Sequence, residues 1–364
     1  MRAPAVELSV VVPTFNEADN VGMVVERLDA CLGDHRWEVI FVDDDSPDET
    51  AGEVRRLAQS DGRVRCVQRL DRRGLSSACI EGMLASSAPY IAVMDGDLQH
   101  DESLLPGMLN ALKADDLDIV VGSRYVSGGD AEAFTRDRAR KSRVATRLSR
   151  MVVPDELRDP MSGFFMIRRE AFEASMRQLS GIGFKIMMDL FASSPGPMRF
   201  REFPYSFRTR SQGESKLDNQ ALWDYGMLLL DKLFGRYVPV RFVSFMLVGG
   251  FGVLVHMAVL FVLYQSLSLS FLVSQTSASL VAMTANFFMN NVITYRDQRL
   301  RGWEWLGGWF SFVLACSVGA LANVGIATYL LDRGTPWSLA GFTGILVGAV
   351  WNYAITQIYT WRAR

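Results

Sequence analysis

Hydrophobic and polar positions follow two different rhythms along the chain, and the change falls near residue 237. Before it, short apolar runs at Leu8–Pro13, Glu38–Val42, Val64–Gln68, Tyr90–Met94 and Asp118–Gly122 read as strands. Between them Ala18–Leu32, Gly74–Ser86 and Leu104–Lys113 have helical spacing. Ser46-Pro47-Asp48-Glu49 is spaced as a capping box with Pro at the first helical position, so it predicts a helix opening there. Strands alternating with helices predict a parallel sheet with helices on both faces, an α/β Rossmann-like domain. The first strand is not followed by Gly-x-Gly-x-x-Gly, so a dinucleotide fingerprint is absent. Residues 126–160 are polar and Arg-rich and read as a loop leading to a helix. Asp218–Phe234 brings Leu222, Tyr225, Leu229, Leu230 and Leu233 near one helical face. That pattern suits an interfacial helix lying on a membrane and equally a helix packed on the sheet.

After residue 237 the pattern becomes long apolar stretches at about 238–264, 269–293, 305–331 and 338–361. Each exceeds the ~20 residues a helix needs to cross a bilayer. They also lack the charged face of a globular helix. The four form two copies of one hairpin. Asn286-Phe287 with Thr294-Tyr295-Arg296 is matched by Asn352-Tyr353 with Thr360-Trp361-Arg362, and Ser244-Phe245 with Gly252 by Ser311-Phe312 with Gly319. The expected organisation is therefore a domain at 1–217, a juxtamembrane helix at 218–237 and a four-helix membrane domain at 238–364.

Composition sharpens this division. The 49% hydrophobic content and mean hydropathy of +0.12 are concentrated in the second part. After Gly235 there are eight Arg, no Lys and three acids, a net +5, against −7 for the first 235 residues. An acidic first domain argues against nucleic acid as a partner. Seven of the eight arginines fall on one side of a four-crossing arrangement and only Arg333 on the other, so both termini are expected in the cytoplasm. The N-terminus shows no basic-then-apolar signal segment. Cys31, Cys66, Cys79 and Cys316 contain no Cys-x-x-Cys pair and are expected reduced.

Candidate chemistry gathers at the carboxyl ends of the expected strands, where open α/β sheets bind ligands. Pro13-Thr14-Phe15-Asn16-Glu17 follows the first, Asp43-Asp44-Asp45-Ser46 the second, Leu70-Asp71-Arg72-Arg73-Gly74 the third, and Met94-Asp95-Gly96-Asp97-Leu98-Gln99-His100 the fourth. An Asp-x-Asp at such a place can hold Mg²⁺ or Mn²⁺ against a diphosphate, because these cations take oxygen ligands.

With Gly122-Ser123-Arg124-Tyr125, Asp159-Pro160-Met161-Ser162-Gly163-Phe164-Phe165 and Gly213-Glu214-Ser215-Lys216-Leu217, these motifs make residues 5–220 resemble glycosyltransferase family 2, in its polyprenyl-phosphate (dolichol-phosphate) mannose synthase type. Residues 238–364 resemble the GtrA-like membrane domain. The resemblance implies a GT-A fold and a nucleotide site of Pro13, Thr14, Asn16, Glu17, Asp44, Asp95 and Gly96. It implies metal ligation by Asp95, Asp97 and Gln99. Asp97, Arg124, Arg138, Ser142 and Arg210 would be catalytic, and Arg138, Ser142, Arg210 and Lys216 would grip an acceptor phosphate. Lys185 and Asp189 match a family helix without an assigned role. The implied reaction moves mannose from GDP-mannose to a polyprenyl phosphate with inversion. UDP-glucose or another UDP-sugar is the alternative donor. A reading of another class is a lipid-linked sugar flippase with a regulatory nucleotide-binding domain.

Overall fold

The computed structural model describes residues 5–70, 72–127, 148–206, 208, 219–235 and 238–362, with the backbone alone at 219–221, 297 and 337. It divides into two compact units, Met1–Arg236 and Tyr237–Arg364.

The first unit is built on β1 (Leu8–Thr14), β2 (Trp37–Asp43), β3 (Val64–Gln68), β4 (Tyr90–Val93), β5 (Ile119–Ser123), β6 (Phe165–Arg168) and β7 (Phe200–Pro204). Its helices are α1 (Ala18–Leu32), α2 (Thr50–Ala58), α3 (Leu75–Ala85), α4 (Leu105–Ala114), α5 (Arg169–Ser175), α6 (Ile186–Ser193) and α7 (Asn219–Phe234). The sheet order is β3-β2-β1-β4-β6-β5-β7. Side chains alternate across it, as strand geometry requires. Val11, Ile40, Val42, Ile91, Val93, Val121 and Phe165 face one helical layer, which includes Ala78 and Met83 of α3 and Leu190 of α6. Val10, Val12, Val39, Phe41, Ala92, Val120 and Met166 face the other, with Leu28 of α1 and Leu109 of α4.

Two sequence expectations need correction. The sheet is mixed: β6 runs antiparallel to both β4 and β5. Its four residues, Phe165–Arg168, are too short a pattern to announce the reversal in the sequence. The reversal has a consequence for the site, because Phe165 pairs with Val93 and Val121 at the carboxyl ends of β4 and β5. The chain entering β6, residues 159–164, therefore arrives at the ligand edge of the sheet. The expected capping box also acts differently. α2 begins at Thr50, after Glu49 at φ +64°. Asp48 Oδ1 accepts the Thr50 N–H at 3.1 Å, and Ser46, Thr50 and Asp48 also accept the backbone N–H groups of Asn16, Glu17 and Ala18 at 3.0, 3.1 and 3.1 Å. They cap α1, whose first N–H groups lack partners within the helix.

α7 was open to two placements. Tyr225, Leu228 and Leu229 are buried in the core that includes α6, while Leu222 and Phe234 are exposed.

The second unit contains α8 (Val240–Leu260, continued by a π-helical segment to Ser266), α9 (Phe271–Met289, continued to Thr294), α10 (Trp303–Asp332) and α11 (Trp337–Ile355, continued to Thr360). Among the described residues three helices are long and apolar enough to cross a membrane: Val240–Ser266, Trp303–Asp332 and Ser338–Thr360. Three of the four expected spans meet that measure. The stretch at 269–293 does form a helix, but Ser274, Gln275, Thr276, Ser277, Ser279, Thr284 and Asn286 dilute its apolar content. Leu254, Phe310 and Leu321 are more than half exposed, as membrane-facing side chains would be.

Each hairpin is closed by an equivalent hydroxyl pair. Ser244 Oγ lies 2.9 Å from Thr294 Oγ1, and Ser311 Oγ 3.0 Å from Thr360 Oγ1. Between hairpins, Phe245 meets Tyr353 and Phe312 meets Phe287, both at 5.7 Å between ring centroids. Exchanging the hairpins turns one contact into the other, so an approximate twofold relates them. Equivalent positions meet on it: the Tyr295 and Trp361 rings stack at 4.2 Å and 4°, both buried. Gly252 and Gly319 lie against Asn286 and Asn352, where a Cβ on either glycine would collide with the amide.

Candidate active site

The chain leaves β4 with Met94 and turns at Leu98, which takes φ +62°. Four bonds fix the turn. The Gln99 N–H donates to Asp97 Oδ1 at 3.2 Å, and the Asp95 N–H donates to His100 Nδ1 at 3.0 Å. Gln99 Nε2 donates to the Arg208 carbonyl at 3.0 Å, and the Arg208 N–H donates to the Gln99 carbonyl at 3.1 Å. Asp97 is buried and Asp95 half-buried.

His100 is a buttress for this loop. Its ring stacks on Phe164 at 5.2 Å and meets the edge of Tyr205 at 5.9 Å. Burial pushes its pKa down to about 4, with nearby Asp97 opposing the shift. It is therefore neutral at pH 7. Because Nδ1 accepts a bond, the hydrogen-bond pattern assigns the proton to Nε2, 3.6 Å from Asp95 Oδ2.

β5 ends at Ser123, and Arg124 follows. Its guanidinium binds Asp159 through two bonds of 2.8 Å, and its N–H donates to the same carboxylate at 3.1 Å. Asp159 is fully buried and its own N–H donates to Glu202 at 3.0 Å. Burial opposes the charge on Arg124, but the Asp159 bonds outweigh it and raise the pKa. The reversed strand β6 makes this pair possible, because the segment entering it carries Asp159 to the end of β5.

The ends of β1, β2 and β3 form a second polar cluster. Thr14 Oγ1 donates to Asp43 at 3.2 Å, so its hydroxyl points into the sheet edge. Asp43 also accepts from the Ser46 N–H and hydroxyl, at 2.9 and 2.5 Å. Asp44 accepts from Arg69 Nη1 at 2.6 Å and from the Gly74 N–H at 2.7 Å. Burial pushes the Asp44 pKa up against those two donors. Arg69, only 2% exposed, also donates to Ser77 Oγ at 2.6 Å. Glu17 Oε2 accepts from Asn20 at 2.6 Å, and Asn16, at φ +59°, is exposed. Pro13 and Gly96 are buried. Arg73 covers the Phe15 ring at 4.4 Å.

The structure thus brings Asp95, Asp97, Gln99 and Arg124 to the β4–β5 end, and Thr14, Asn16, Glu17 and Asp44 to the β1–β2 end. Arg138, Ser142, Arg210 and Lys216 lie outside the described residues. Sequence reading missed Arg69, His100 as the loop's support, and Asp159 as the partner of Arg124. A buried arginine after a strand and the Asp159-Pro160 turn were the available signals.

The fit to a divalent cation rests on the donor set. Among the described residues no three or more His, Cys, Asp and Glu side chains cluster as a ready-made centre. Two carboxylates and the Gln99 amide oxygen are all hard donors. Mg²⁺ is commonly held by one or two carboxylates with substrate phosphate and water completing the shell. Space exists beside Asp95: a Cβ on Gly163 would lie 3.5 and 3.6 Å from its two carboxylate oxygens. The residues fit.

Comparison with known proteins agrees with this architecture. Residues 9–175 match glycosyl transferase family 2, and residues 244–361 match the GtrA/DPMS transmembrane domain. A dolichol-phosphate mannosyltransferase of Pyrococcus furiosus is 33% identical over 98% of this chain and 99% of its own length. One from Saccharomyces cerevisiae is 34% identical over 66% of this chain and 93% of its own. Among solved structures, glucosyl-3-phosphoglycerate synthase from Mycobacterium tuberculosis is similar with a TM-score of 0.48 and 18% identity, over 62% of this chain and 79% of that one. The chain is a glycosyltransferase of family 2, belongs with the dolichol-phosphate mannosyltransferases, and carries a GtrA/DPMS transmembrane domain after its GT-A catalytic domain.

Proposed function

We propose that this enzyme transfers mannose from GDP-mannose to a polyprenyl phosphate, with inversion at the anomeric carbon. The observation that carries the reading is the Asp95-Gly96-Asp97 loop beside Arg124, in a chain matched end to end by a dolichol-phosphate mannosyltransferase. Asp95, Asp97 and Gln99 would hold Mg²⁺ or Mn²⁺. Such an ion supplies Lewis acidity that neutralises the departing diphosphate.

A lipid phosphate monoester has a second pKa of about 6, so it is largely dianionic at neutral pH. It needs no general base. One of its oxygens bonds to the anomeric carbon as the bond from that carbon to the donor diphosphate breaks, and the electron pair leaves with GDP. The difficulty is bringing two anions together, which positioned positive charge relieves. Arg124, held by Asp159, is one such charge. Arg138, Ser142, Arg210 and Lys216 are the proposed grip on the acceptor phosphate, Arg because its fork matches phosphate oxygens. Pro13, Thr14, Asn16, Glu17, Asp44, Asp95 and Gly96 are the proposed nucleotide site. Within it, Asp44 spends its carboxylate on Arg69 and Gly74 and so acts by shaping the edge. The proposed domains are 1–217, 218–237 and 238–364, with both termini cytoplasmic from the arginine asymmetry.

The test is nucleoside diphosphate release by the purified full chain. GDP-mannose and UDP-glucose are each supplied with and without polyprenyl phosphate and divalent cation. GDP release needing both lipid and metal supports the proposal. Lipid-dependent release from UDP-glucose alone replaces the donor. Lipid turnover that survives Asp97→Asn points to a regulatory first domain.

A further inference from the structure

Asp189 and Lys232 form a buried ion pair that the reaction as described does not use. Asp189 is fully buried, and the Lys232 side chain is 6% exposed. Their charges lie 2.6 Å apart, joining α6 to α7. Lys232 Nζ also donates to the Gln178 carbonyl and to Ser193 Oγ, both at 2.8 Å. Taking two charges out of water is costly, and well-packed apolar residues often serve stability as well or better. The interest lies in what the pair holds.

Asp189 Oδ2 accepts from the Ser180 N–H at 2.9 Å, the Ser180 hydroxyl at 2.8 Å and the Gly181 N–H at 3.1 Å. It fixes a short strap, residues 180–184, that runs between α3 and α7. Gly181 and Gly183 take φ +63° and +70°, the left-handed region that favours glycine. A Cβ on Gly183 would lie 3.1 Å from Asp224 Cβ of α7, so the strap is pressed against that helix. On its other side the Gly183 carbonyl accepts the Ser76 N–H at 3.1 Å. Ser76 lies in the first turn of α3, two residues from Gly74, whose N–H holds Asp44. Beyond the strap, Lys185 Nζ donates to the Met161 carbonyl at 3.0 Å, in the segment that carries Asp159.

We infer that Lys232 is a positioning residue: acting through Asp189 and the 180–184 strap, it sets the α3 end of the donor-nucleotide site. This rests on the proposed reading of that edge as the nucleotide site. Lys232 lies well beyond residues 9–175, the part matched to the glycosyltransferase family.

The test uses the full chain in lipid nanodiscs with Lys232→Met, Lys232→Arg and Gly181→Ala. The last strains the strap while leaving the ion pair in place, and its nearest neighbour is 3.6 Å away. In Lys232→Met, amide exchange at Ser180, Gly181 and Ser76 should quicken together. The KM for GDP-mannose should rise about tenfold, with the KM for polyprenyl phosphate nearly unchanged. Gly181→Ala should give the same split, and Lys232→Arg should restore much of the loss. A fall in melting temperature with both KM values unchanged would overturn the inference. So would faster exchange at 180–181 that leaves Ser76 protected. If wild-type protein turns over no GDP-mannose, the donor reading fails, and the exchange at Ser76 still decides whether Lys232 positions α3.

Discussion

In the catalytic unit Arg69, Asp159 and Asp189 are at most 2% exposed, and each is matched by an opposite charge from a distant part of the chain. In the membrane unit the buried polar groups include Ser244, Asn290, Asn291, Thr294 and Thr360, all neutral, and the hydroxyl contacts occur twice. The first unit sets two of these charges at one sheet edge and the third between two helices, each in a single place. The second uses hydroxyls and aromatic rings that a duplicated hairpin supplies in equivalent pairs. Charge at a site that handles phosphates must be balanced locally. In a lipid setting, small hydroxyls and rings allow close helix packing without burying charge.

The sharpest way to break the comparison is Asp97→Asn. Lipid-dependent GDP release should fall by about a thousandfold or more, as for loss of preorganised charge stabilisation, and chelation of the wild type should mimic it. Helical content of the membrane unit should be unchanged, checked by circular dichroism.

Asp159→Asn ranks next. It leaves Arg124 with its charge partner removed, and breaking a buried pair costs about 3–5 kcal/mol. The melting temperature should drop steeply, and activity should fall with it. Asp159→Glu, keeping the charge, should recover part of the loss.

Trp361→Leu tests the aromatic axis of the membrane unit. The stack with Tyr295 is worth about 0.5–1.5 kcal/mol beyond area burial, read as thermal stability in detergent. GDP-mannose KM should hold steady.

The smallest effect tests the duplication itself. Ser244→Ala and Ser311→Ala should each cost about 0.6 kcal/mol, the mean for hydrogen bonds between membrane helices. Their costs should be alike and should add in the double variant. Unequal costs would show that the twofold is geometric but not energetic.

What the sequence made legible follows from separation along the chain. The Asp95–His100 loop was readable because strand, turn and carboxylates lie within ten residues. The hairpin repeat was readable because matched polar residues recur at a fixed offset. The Arg69–Asp44 and Arg124–Asp159 pairs join residues 25 and 35 apart, and nothing local announces them. Ser46-Pro47-Asp48-Glu49 has the spacing of one helix's start, yet Ser46 and Asp48 also bond the chain entering another, because β1 and β2 are neighbours. The second apolar stretch passed by length alone, while its serines and threonines set it apart from the other three.

The Tyr295–Trp361 stack carries one more consequence. In two separate copies of a single hairpin, a residue on the axis faces itself, and any mutation there changes both faces of the contact together. Joining the copies into one chain releases that constraint. One face is now phenol and the other indole, and the indole N–H donates across to Asn291 Oδ1 at 3.1 Å. Fusion lets a self-contact diverge into a lock and a key.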